Sequence, residues 1–166
     1  YYVRYADDFL IMFQYEADAE SVMKALVERL NKFSLEVAVE KTRILPFGKW
    51  KGTKEKFDFL GFTFYNTKTR IGKYRVGVMT SKKKLKAKRQ AAKDWLKTRL
   101  TMPVAETMRT LALVIKGHCN YYGVNGNFKS IQKFWKYLKD STYRMLNRRD
   151  QTGRFRYEKF NRVWNY

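Results

Sequence analysis

Asp7 and Asp8 are the residues of this sequence best suited to chemistry, because the two adjacent carboxylates are flanked by the apolar stretches YYVRY and FLIMFQ. Successive side chains of a strand point to opposite faces, so neighbouring carboxylates converge on one ion only where the chain turns. The flanks are rich in aromatic and β-branched residues and read as strands, and Ala6-Asp7-Asp8 reads as the turn of a hairpin with carboxylates at its tip. Two anions held close repel each other and raise a pKa unless a cation compensates them. A hard divalent cation is the natural partner, and Mg²⁺ uses one or two carboxylates, keeps waters and completes its shell from substrate phosphates. The competing reading is a plain turn, in which Asp serves only its turn-forming preference.

Charge supplies the context. The 166 residues carry 36 Lys and Arg against 15 Asp and Glu, a formal charge of +21 that favours polyanionic partners, nucleic acid first. Residues 1–48 hold six basic and eight acidic residues, a net of −2, and residues 49–166 hold thirty and seven, a net of +23. An acidic centre beside a basic surface suits chemistry on a held polyanion; the alternative is an ordinary domain with a basic tail. Lys82, Lys83 and Lys84 begin a helical pattern, where each ammonium opposes the helix dipole by about 0.3–1 kcal/mol. Three ammonium groups beside free N–H donors make a phosphate site, which Lys86, Lys88, Arg89, Lys93 and Lys97 extend; the other reading is a solvated lysine-rich face. Arg148, Arg149, Arg154 and Arg156 around an Asp150–Gly153 turn form a second basic cluster, for phosphate or for structured RNA. Tyr121, Tyr122, Phe134, Trp135, Tyr137 and Tyr143 could stack bases, but at helical spacing most read as core, and none is assigned to stacking.

Composition also excludes. Hydrophobic residues at 45% and aromatics at 17% rule out a wholly disordered basic tail. A single Cys (Cys119) and a single His (His118) exclude an internal disulfide and a Cys/His zinc cluster, and point to a reducing compartment. No run approaches the roughly 18 apolar residues that span a bilayer, so no membrane partner is expected. Tyr1 opens within a strand pattern and is not Met, so a segment of a longer polypeptide is expected.

The elements that must position these residues form an α+β fold. After the hairpin, Asp18 suits an N-cap, and Ala19, Val22, Met23, Leu26, Val27, Leu30 and Phe33 follow at amphipathic-helix spacing. Leu35, Val37 and Val39 alternate with Glu36, Ala38 and Glu40 as in a half-buried strand. Gly48 to Lys54 reads as an exposed turn, and the apolar run from Phe57 to Tyr65 is expected to pair with Tyr74 to Met79 through a turn at Gly72. Beyond Ser81 the pattern predicts helices near 82–100, 103–121, 128–149 and 156–164, with Pro103 in a first turn. Phe128, Ile131, Trp135, Leu138 and Met145 form the apolar stripe of the third.

Tyr5-Ala6-Asp7-Asp8 resembles the YADD sequence of reverse transcriptases, specifically the group II intron type. Glu40-Lys41-Thr42, Phe59-Leu60-Gly61-Phe62, Lys116-Gly117-His118-Cys119-Asn120-Tyr121-Tyr122 and Leu146-Asn147-Arg148-Arg149 resemble that family in the same order, so the likeness spans essentially the whole chain. It implies the C-terminal part of a palm over residues 1–80, an antiparallel sheet with a packed helix, and a basic helical thumb or maturase (X) domain over 81–166. It implies RNA-directed DNA polymerase activity, two Mg²⁺ ions, an RNA template, a DNA primer and group II intron RNA as partners, and a bacterial cytoplasmic or organellar setting. Asp7 is then the principal metal carboxylate and Asp8 its neighbour. Tyr5 and Ala6 lie near the primer end, Lys41 near the leaving pyrophosphate, and Leu60 and Gly61 in a primer-gripping hairpin. In that hairpin a glycine lets a backbone approach nucleic acid, although FLGF also fits a buried strand with a bulge.

Two departures follow from the same likeness. The family needs another Asp from an upstream strand and upstream fingers, so this chain alone is expected to be inactive, and His118-Cys119 stands where the family more often has a Trp-containing stretch. The competing class is a non-catalytic, maturase-like module that binds structured intron RNA and keeps the Asp pair only as a turn; a third is a nonspecific basic protein.

Overall fold

The computed structural model describes residues 1–38, 40–149 and 156–164. Strands β1 (Tyr2–Tyr5) and β2 (Asp8–Ile11) pair antiparallel with Tyr5 opposite Asp8, so the loop between them is only Ala6 and Asp7. So short a loop needs positive φ, and Ala6 adopts +52°. Helix α1 (Glu16–Asn31) starts earlier than the Asp18 cap predicts. Tyr15 occupies the N-cap position without a side-chain bond, and Glu16 and Asp18 both fall in the first turn, where the dipole favours acids. The strand expected over 35–40 does not form across 35–38, and Val39 lies outside the described residues. Alternation supplies a face but not a partner, and the two sheets pair only within themselves.

The second sheet is an antiparallel meander of β3 (Lys56–Phe59), β4 (Phe62–Lys68) and β5 (Tyr74–Thr80). The run from Phe57 to Tyr65 is therefore two strands rather than one. Leu60 (φ +49°) and Gly61 (φ +78°) reverse the chain as a two-residue loop with both dihedrals positive, and Phe59 closes against Phe62. The pairing expected with Tyr74 to Met79 forms on β4, from Phe62 opposite Thr80 to Lys68 opposite Tyr74. Phe57 packs between Phe47 and Phe64, with ring centroids 5.0 and 5.2 Å away.

Four helices follow: α2 (Lys82–Thr98), α3 (Val104–Tyr122), α4 (Phe128–Arg149) and α5 (Tyr157–Trp164). The chain is thus α+β, two small antiparallel sheets and five helices among the described residues. The buried apolar core joins Leu96, Leu111, Phe134, Leu138, Met145, Leu146 and Phe160, all within these four helices. Pro103 sits one position before α3 rather than inside its first turn. The buried stripe of α4 is Ser130, Phe134, Leu138, Thr142, Met145 and Leu146, whereas Phe128 is 70% exposed. Small hydroxyl residues take inner positions because their polar atoms are satisfied: Thr142 Oγ1 donates to Leu138 O at 2.8 Å. Among the described residues no helix is long and apolar enough to cross a membrane.

Candidate functional site

The Asp hairpin is held locally. Arg4 Nε donates to Ala6 O at 2.8 Å and so fixes the loop, and Met12 N donates to Tyr1 O at 2.8 Å at the open end. Asp7 lies in the loop and Asp8 opens β2, both exposed. Among the described residues no ion pair compensates either carboxylate, and no third His, Cys, Asp or Glu joins them as a metal cluster. Two acceptor-only, uncompensated carboxylates at a solvent-facing tip fit a hydrated Mg²⁺ that takes its remaining ligands from water and phosphate.

A second component faces this hairpin. Tyr5 shares a groove of about 380 Å³ with Leu60, Phe62, Tyr121 and Val124, so the end of β1 and Leu60 border the same space. The turn is tied down from the helical side. Tyr121 Oη donates to Leu60 O at 2.9 Å, and Ser81 N donates to Gly61 O at 2.9 Å. A Cβ on Gly61 would stand 3.0 Å from Tyr122 Oη and 3.7 Å from Lys84 Cγ. Glycine is therefore demanded by the fold itself, through its positive φ and the tyrosine beneath it, and not only by close approach of a nucleic-acid strand.

The third component is basic. Ser81 caps α2, its Oγ accepting from Lys84 N at 3.4 Å. Lys82, Lys83, Lys84, Lys86, Lys88 and Lys93 are exposed. Lys84 lies against the turn, and Lys88 Nζ stands 5.2 Å above the ring of Tyr122, so the helix start and the turn form one surface. Arg89 is oriented differently from these lysines: Nη2 donates to Lys133 O at 3.2 Å and the guanidinium stacks 5.2 Å from Tyr137, within the α2–α4 seam. Arg149 donates to Met102 O, while Arg148 is exposed. Arg154 and the Asp150–Gly153 turn lie outside the described residues. Lys41 is exposed in a turn whose amide donates to Ala38 O at 2.9 Å, and among the described residues no ion pair links it to Asp7 or Asp8.

Asn127, which the spacing did not single out, and His118 lie buried beside this region. Asn127 is fully buried and joins three elements. Its Oδ1 accepts from Thr80 N at 2.7 Å, and its Nδ2 donates to Thr80 Oγ1 and to Tyr122 O, each at 2.9 Å. An Asn immediately before an apolar helical run is an N-cap signal, and that position was its only mark in the sequence. His118, 2% exposed, lies between the rings of Tyr122 and Phe134 at 4.7 and 4.1 Å, and neither ring nitrogen has a hydrogen-bond partner. Burial, reinforced by the charge of Lys88, pushes its pKa down to about 4, so the imidazole is neutral.

Residues 1–64 match the family model of the reverse transcriptase (RNA-dependent DNA polymerase). The matched stretch contains the Asp hairpin, α1, Lys41 and the Leu60–Gly61 turn. No curated protein and no solved structure matches the chain.

Proposed function

We propose that this chain is the C-terminal palm and thumb of an RNA-directed DNA polymerase of the group II intron type. Residues 1–80 are the palm portion and residues 81–166 the basic thumb. The observation that carries this reading is the common groove of Tyr5, the residue before the Ala6-Asp7 loop, and Leu60, whose turn lies against Lys84 of α2. A polymerase needs these three things together: carboxylates for metal, a backbone edge for the primer, and cations for the phosphates.

In this account Asp7 holds metal, with Asp8 beside it, and the bound Mg²⁺ supplies charge neutralisation for nucleotidyl transfer. Tyr5 and Ala6 face the primer terminus, Leu60 and Gly61 border the primer strand, and Lys41 serves the leaving pyrophosphate. Lys82, Lys83, Lys84, Lys86, Lys88 and Lys93 hold template–primer phosphates without reading bases, as a translocating clamp requires. Arg148, at the end of α4, belongs to a second basic cluster, and Arg89 and Arg149 brace the helices. The test is primer extension on an RNA template by the full-length protein and by Asp7→Ala. Loss of extension with RNA affinity kept within a few-fold is expected; an active variant refutes the assignment.

A further inference from the structure

The Leu60–Gly61 turn is built under strain that a leucine does not adopt freely. A φ of +49° at Leu60 is a left-handed conformation that costs a non-glycine residue of the order of 1–2 kcal/mol. Such a residue persists only where its surroundings over-determine it. Three features do so here: Tyr121 Oη donating to Leu60 O, Ser81 N donating to Gly61 O, and Tyr122 Oη standing 3.0 Å from where a Cβ on Gly61 would lie. Ser81 and Tyr122 are buried and integral to the packing, 2% and 3% exposed. Tyr121 differs. It is 55% exposed, its ring already stacks on Phe62 at 5.8 Å and 13°, and its hydroxyl bond lies at the surface, where the net gain in stability is small. What that bond does fix is direction: it orients the Leu60 carbonyl and the wall that Tyr121 and Leu60 share with Tyr5 in the groove.

We infer that Tyr121 is a positioning residue for the primer strand, its hydroxyl setting the Leu60–Gly61 turn against the Asp7 hairpin and Lys84. The inference rests on the polymerase reading above and adds to it a helical residue acting on a sheet turn 61 positions away in sequence. The stack on Phe62 sets the ring plane, and Asn127, by binding Tyr122 O and Thr80 together, anchors the end of α3 to the end of β5.

The experiment compares wild type with Tyr121→Phe in the full-length protein, which keeps the ring and removes the hydroxyl. Primer extension gives KM and kcat, and fluorescence anisotropy gives the dissociation rate of a recessed template–primer duplex and of single-stranded RNA. The expected result is a rise of about threefold in KM and in duplex dissociation, the scale of one exposed hydrogen bond, with kcat, single-stranded RNA affinity and Tm unchanged. Unchanged KM and duplex dissociation overturn the inference, as does equal weakening of both nucleic acids or a fall in Tm, which would mark general phosphate binding or a structural role. If wild type itself fails to extend a primer, the polymerase reading falls, and the contrast between recessed duplex and single strand decides the role of Tyr121 by itself.

Discussion

Acidification destabilises this fold through His118, and the magnitude follows from its surroundings. The imidazole is 2% exposed between two aromatic rings, with neither nitrogen bonded, and its pKa lies near 4. In the unfolded chain the same group titrates near its ordinary 6.5. Between those values the unfolded state binds the proton and the folded state does not, so stability present above pH 6.5 is lost as the pH falls. At about 1.36 kcal/mol per pH unit the loss is about 2 kcal/mol at pH 5 and approaches about 3 kcal/mol below pH 4. Urea denaturation of wild type and His118→Leu at pH 7.5, 6.5, 5.5 and 5.0 measures it. Carboxylates titrate in both proteins and cancel in the difference. The variant should lack about 2 kcal/mol of the wild-type loss between pH 7.5 and 5; identical pH profiles in the two proteins would refute the argument.

Two further substitutions probe the frame and the basic face. Asn127→Ala removes its bonds to Thr80 and Tyr122 O, of which Thr80 N keeps Ser130 Oγ at 3.4 Å and Tyr122 O keeps Val124 N at 2.8 Å, and should cost about 1–2 kcal/mol in urea denaturation, with a loss below about 0.5 kcal/mol contradicting the joint described for it. Replacing Lys84 and Lys88 together by Gln should lower the slope of log affinity against log salt for template–primer duplex by about 1 per lysine. A slope equal to that of wild type would remove both from the phosphate contacts.

The helices were legible because their signals are local. Apolar residues at 3-and-4 spacing and a Ser before the lysine run gave ends within two residues for α2, α3 and α4. The FLGF turn was less so, since four apolar residues in a row fit one strand as well as two, and only the pairing of Phe59 with Phe62 distinguishes them. Leu35 to Ala38 carry strand alternation and form no strand, because pairing depends on an edge that local pattern does not encode. On α4 Phe128, the first helical residue, is exposed, while Ser130 and Thr142 take buried positions because their hydroxyls have partners. Within the candidate site, the Asp tip and the lysine helix start could be read from residue type alone. Contacts across the chain could not: Tyr121 on Leu60, Asn127 on Thr80 and the inward turn of Arg89 onto Lys133 join residues 44 or more positions apart.

The central claim is that Asp7 holds the catalytic metal at the hairpin tip, and one measurement tests it most directly. Primer extension on an RNA template with Mg²⁺ and deoxynucleotides is run with the full-length protein and with Asp7→Asn, which keeps the side chain's size and removes its charge. RNA binding is measured alongside. The account predicts extension by wild type, none by the variant, and RNA affinities within a few-fold of each other. Extension by Asp7→Asn at the wild-type rate would contradict it, and absence of extension in both proteins with tight RNA binding would favour a maturase-like binding module instead.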